Sequence, residues 1–120
     1  MALLSNRNLF TACEQGDFQR IRSLSSTEIC SIRDENRATL IHYASRYGHL
    51  NLIEYFIESK GIDISQLRTD YGATCAHDAA VCDQLEIVKY LFHPNKQKLR
   101  WTVRDEQGNT PLHLGKFHIR

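Results

Sequence analysis

A four-residue signature, threonine then two residues then histidine, occurs three times at near-constant spacing. It reads Thr39-Leu40-Ile41-His42, then Thr74-Cys75-Ala76-His77 35 residues on, then Thr110-Pro111-Leu112-His113 a further 36 on. The best-defined copy runs from Tyr71-Gly72-Ala73 through Ala79-Ala80, a polar break, and Leu85-Glu86-Ile87-Val88-Lys89-Tyr90-Leu91-Phe92. A glycine turn, a threonine able to cap a helix and two apolar stripes predict turn, short helix, turn and second helix. A fixed period of this length signals units that each bury a face against the next. The chain is therefore expected to be a row of stacked units.

The units differ in regularity. In the first, spanning residues 1–33, Leu9, Ala12 and Cys13 predict a short helix, Gly16-Asp17 a turn, and Phe18, Ile21 and Leu24 a second helix. It lacks the Thr-to-His head, as expected of a terminal capping unit whose outer face meets water. The second, 34–68, uses Thr39 as a cap, Gly48 as the left-handed stop and Leu52, Ile53, Phe56 and Ile57 as a buried stripe. The third is 69–104, and the fourth, 105–120, opens with Pro111 at the first helical position but holds no second helix before Arg120. The array thus looks short of a C-terminal cap, as in a fragment or a protein whose end is covered by another molecule. Apolar side chains of the third unit's outer helix, Leu91 and Phe92 among them, would then favour an end-to-end homodimer.

Two positions break the pattern. Arg37 stands where the other units have Gly72 and Gly108, so either that turn is reshaped, or Arg37 is held by a carboxylate, or it is a tolerated surface substitution. Asp83-Gln84 replaces the Gly48-His49 pair, and aspartate tolerates left-handed backbone well enough to keep the turn.

Threonine, two residues and histidine at the head of each unit resembles the ankyrin repeat, and the resemblance spans almost the whole chain. It implies an all-α solenoid of helix-turn-helix units joined by short β-turn or hairpin connectors. It also implies that Thr39 with His42, Thr74 with His77 and Thr110 with His113 bond each other and neighbouring backbone in a structural role.

Composition excludes other classes. A net charge of +1 gives no global attraction to nucleic acid or an anionic membrane, and no apolar run reaches membrane-span length or forms a signal-peptide core. Cysteines at 13, 30, 75 and 82, without a C-x-x-C, suit reduced thiols in the cytoplasm, with Cys13 and Cys75 filling core positions. The basic connector around Trp101, with Lys96, Lys98, Arg100 and Arg104, is expected to be a solvated loop with the indole tucked against a helix. Cys75, His77 and Cys82 invite a zinc reading, but stacked units space their histidines roughly 10 Å apart, too far for one ion. His77-Asp78 beside Cys82 has no oxyanion loop, so neither catalytic residues nor a cofactor is expected.

What remains is surface. Carried over by position from the ankyrin resemblance, a concave partner-binding side holds Glu14 and Gln15, then Glu35, Asn36, Ala38, Arg46 and Tyr47. It continues with Asp70, Tyr71, Ala73, Val81 and Cys82, and ends with Glu106, Gln107 and Asn109. Tyr47 and Tyr71 are the expected anchors, since aromatic side chains bury large area at low entropic cost. More narrowly, Met1-Ala2-Leu3, a weak first unit ending in Ile32-Arg33-Asp34, and Gly72-Ala73-Thr74 followed by Ala76-His77-Asp78-Ala79-Ala80 together resemble the N-terminal repeats of espin and espin-like proteins. That resemblance implies binding of a helical segment of a class III myosin tail, in an actin-associated setting.

Overall fold

The computed structural model describes residues 2–94, 96, 98–100 and 102–115. Trp101, Lys116-Phe117-His118 and Arg120 lie outside them. The molecule is elongated, 44 × 28 × 21 Å, and built from stacked helices. Among the described residues the one strand-like pairing is an isolated antiparallel bridge between Arg33 and Thr39.

The first unit is more helical than its stripe suggests. α1 covers Ala2–Gln15, α2 covers Phe18–Ile21, and α3 covers Ser26–Ser31. α3 was not expected from the apolar spacing. Its signal is Ser25-x-x-Glu28, where the serine hydroxyl accepts from Glu28 N–H and the glutamate carboxylate accepts from Ser25 N–H.

In the second unit α4, Leu40–Arg46, is followed by α5, Leu50–Glu54, which widens into a π-type turn over Tyr55–Ser59. A short 3₁₀ turn, Ile64–Gln66, leads to α6, Cys75–Val81, and α7, Leu85–Leu91. The described chain closes with α8, Pro111–Leu114. α1 packs on α4, α4 on α6 and α6 on α8, so the first helices of successive units form one layer. Helices of about two turns are unstable alone. Their stability comes from one continuous core in which Ile21, Ile29, Leu40, Ile41, Leu52, Ile53, Phe56, Ile87 and Val88 are excluded from water. Cys13 and Cys75 sit in that core too.

The apolar surface expected on the third unit's outer helix is smaller than its sequence suggests. Leu91 is fully buried and Phe92 half-buried. Lys98 N–H donates to Leu91 O at 2.8 Å, which folds the connector back and brings Leu99 into the core. Of the two side chains expected to favour an end-to-end dimer, Leu91 is withdrawn into the core and Phe92 keeps part of its surface.

Arg37 does not reshape its turn. It adopts φ 64, like Gly72 at φ 75 and Gly108 at φ 81, and its guanidinium stands 4.0 Å from the Asp70 carboxylate. Both side chains are well exposed, so that ion pair offsets little of the backbone strain. Asp83 likewise takes φ 63.

Gly48 has a second reason to be glycine: a Cβ there would lie 2.6 Å from the Gln84 amide of the next unit, at φ 79. Gly48→Ala is expected to lose stability on the order of 1–2 kcal/mol, read as a lower urea midpoint with an unchanged slope. An unaltered midpoint would show that this turn is not under the close approach described.

Candidate functional site

The turns and first helices are held by a bonding pattern that repeats unit by unit. In each turn a side-chain oxygen at the first position takes two backbone N–H groups. Asp34 Oδ1 accepts from Asn36 and Ala38, Thr69 Oγ1 from Tyr71 and Ala73, and Asp105 Oδ1 from Gln107 and Asn109. The residue before it is always arginine. Arg33 Nη1 donates to Arg37 O in its own turn and to Arg68 O in the next, at 2.9 and 3.1 Å. Arg68 Nη1 does the same with Gly72 O and Arg104 O, at 3.0 and 2.8 Å. Arg104 reaches Gly108 O at 2.7 Å.

The head residues form the next level. Thr39 N–H donates to His42 Nδ1 at 3.1 Å and the threonine hydroxyl lies 2.9 Å from the same nitrogen. The ring proton is thereby assigned to Nε2, which donates to Ala73 O of the following unit at 3.0 Å. Thr74 and His77 repeat this, with Nε2 2.8 Å from Asn109 O. At the last head Thr110 N–H donates to His113 Nδ1 at 3.2 Å, and His113 is exposed. Both ring nitrogens of His42 and His77 are committed to these bonds, and burial holds both imidazoles below their ordinary value of 6.5.

A third set of ties joins the helix ends. His49 Nε2 donates to Glu14 O at 2.6 Å, and Gln84 Nε2 to Arg46 O at 2.9 Å. Arg46 Nε donates to Asp78 Oδ2 at 2.8 Å, and its guanidinium lies over the Tyr43 ring, whose hydroxyl donates to Asp34. Burial and the Asp34 carboxylate push the Tyr43 phenol up to about 12.

This bonding sorts the residues expected on the concave side. Arg46 is half-buried and spent on Asp78, while the main chains of Asn36 and Asn109 accept from Asp70 N–H and His77. Ala38 is fully buried. Glu35, Asn36 (by its side chain), Tyr47, Asp70, Tyr71, Val81, Cys82, Glu106 and Gln107 are exposed. Tyr47, Tyr71 and Val81, at 52%, 64% and 61%, are the exposed large apolar side chains among the described residues. The arginine series and the His49 and Gln84 ties were missed by motif reading, although the spacings from Arg33 to Arg68 and from Arg68 to Arg104 match the histidine period.

A family model described as ankyrin repeats, in three copies, matches residues 9–102. The chain belongs to the ankyrin-repeat family. It is 31% identical over 116 residues to the palmitoyltransferase AKR1 of Lachancea kluyveri, covering 93% of this chain and 15% of that protein. It is 27% identical over 112 residues to diacylglycerol kinase zeta of Rattus norvegicus, covering 92% and 12%. The chain therefore spans only a small part of these relatives, and the activities in their names are said of those whole proteins. Neither is an espin. Ankyrin repeats are non-catalytic protein-interaction modules, and among the described residues no helix is long and apolar enough to cross a membrane.

Because folding lowers the affinity of His42 and His77 for protons, the unfolded chain takes them up first as pH falls. The contribution of both rings is whole above about pH 6.5 and declines below it, toward their lowered folded values. Urea midpoints are expected to drop between pH 7 and pH 5, and to drop less in His77→Gln. A midpoint that rises on acidification would contradict the neutral-ring assignment.

Proposed function

We propose that this ankyrin array binds a helical or extended segment of a protein partner in the groove formed by its turn tips and the outward faces of α4 and α6. The observation that carries the reading is the distribution of exposed apolar side chains. Tyr47, Tyr71 and Val81 all fall at groove positions of the family pattern, while the other large apolar side chains among those whose burial is described are at least half-buried. Glu35, Asn36, Asp70, Glu106, Gln107 and Cys82 give a polar surround, and Arg46 and Asn109 shape the floor from within the scaffold. Aromatic anchors with a polar rim are what a binding surface needs.

In the narrower espin-like form, the partner is a helical segment of a class III myosin tail and the setting is the cytoplasm beside actin. Its support is the Gly72–Ala80 run together with the features that precede it in the chain. A synthetic class III myosin tail helix is the probe for that form.

The broader reading is tested by pull-down with wild type and with Tyr47→Ala, Tyr71→Ala. The double variant is expected to keep its helical circular dichroism and to lose tenfold or more in affinity for groove partners, roughly the effect of removing one hot spot. Retention of every partner by the folded double variant would remove the groove assignment.

A further inference from the structure

Glu35, Asp70 and Glu106 are the same turn position in successive units. Asp70 N–H donates to Asn36 O at 3.0 Å and Glu106 N–H to Tyr71 O at 2.9 Å, so each turn is pinned to the carbonyl of the turn before it. Glu35 N–H has no such acceptor among the described residues, because α1 runs as helix from Ala2 to Gln15 where a preceding turn would stand. The row of turns therefore ends on an open main-chain donor.

That donor borders a cleft of about 530 Å³ between α1 and the first turn, lined by Arg7, Phe10, Glu14, Asp34, Glu35 and Tyr43. Phe10 and Tyr43 pack with ring centroids 4.5 Å apart and give it an apolar wall. Asp34 is occupied by Tyr43 and two backbone N–H groups, and the Arg33 guanidinium at the same cleft is occupied by two carbonyls. Glu14, Glu35 and Arg7 remain as the charges that face an occupant. Two carboxylates against one cation favour a basic group.

We infer that this cleft docks an extended polypeptide segment bearing an arginine or lysine, whose main-chain carbonyl accepts the Glu35 N–H. The segment continues the row of turns at its open end, in the manner of a strand added to a sheet edge. Its basic side chain pairs with Glu14 and Glu35 while its backbone lies against Phe10 and Tyr43. The cleft shares Glu35 with the rim of the proposed groove, but none of the groove's apolar anchors Tyr47, Tyr71 and Val81 lines it, so the two readings are tested separately.

The test is an NMR titration of the ¹⁵N-labelled chain with the capped peptide Val-Thr-Arg-Val-Thr. The Glu35 amide is expected to move downfield and saturate at millimolar peptide, while the Asp70 and Glu106 amides hold still. Val-Thr-Glu-Val-Thr is expected to bind more weakly. Glu35→Pro removes the donor at the second position of a turn, where proline is favoured, and should weaken the arginine peptide roughly fivefold. Glu35→Gln keeps the donor and should lose only the charge preference. The Tyr47→Ala, Tyr71→Ala variant should bind the peptide as wild type does.

A Glu35 amide unmoved at millimolar peptide, equal affinity for the glutamate peptide, or loss of binding in the tyrosine variant would each overturn the inference. Should Glu35→Pro misfold, the amide shift and Glu35→Gln still decide it.

Discussion

The imidazole of His42 is bonded on two sides, to its own unit through Nδ1 and to the next through Nε2, and it is wholly buried between them. His77 repeats the arrangement. A neutral hydrogen bond contributes only about 1 kcal/mol net, but leaving a buried polar atom unpaired costs about 1–3 kcal/mol. The histidines therefore matter less as adhesive than as a penalty on any slip between units. Adhesion comes from the apolar side chains of α4 to α7, and the imidazoles decide where that core may close.

The other ties have the same logic at the two edges of the array. Arg33 and Arg68 each span from one turn to the next, and His49 and Gln84 reach back across the helix ends to Glu14 O and Arg46 O. With both edges pinned by backbone acceptors, side-chain identity on the outward face of the first helices is released from structural duty. Tyr47 and Cys82 occupy one such register position; at the neighbouring one Val81 is exposed, whereas Arg46 stays engaged with Asp78. A scaffold made by main-chain acceptors leaves the face above it free to vary with the partner, as a binding module requires.

Much of this was legible in the chain. The Thr-to-His spacing located α4, α6 and α8, and the glycines located their turns, because small residues at fixed offsets serve local backbone geometry that sequence records directly. Arg37 and Asp83 keep left-handed turns without glycine, held by bonds of their own units such as Arg37 N–H to Asp34 O and Asp83 N–H to Ala80 O. Less was legible where the cause is tertiary. The length of α1 and the existence of α3 do not follow from apolar period, although Ser25 and Glu28 mark the latter. Burial of Leu91 depends on a connector folding back through Lys98 N–H, which no local pattern announces. Likewise the groove positions came from resemblance, yet only bonding separates the engaged Arg46 from the exposed Tyr47.

The account rests on neutral, Nε2-protonated imidazoles bridging successive units. Long-range ¹H–¹⁵N NMR of the histidine rings at neutral pH tests it most directly. His42 and His77 are predicted to show a protonated Nε2 and an unprotonated Nδ1, with Nε2–H protected from exchange. Protonation at Nδ1, charged rings, or freely exchanging Nε2–H groups would contradict it.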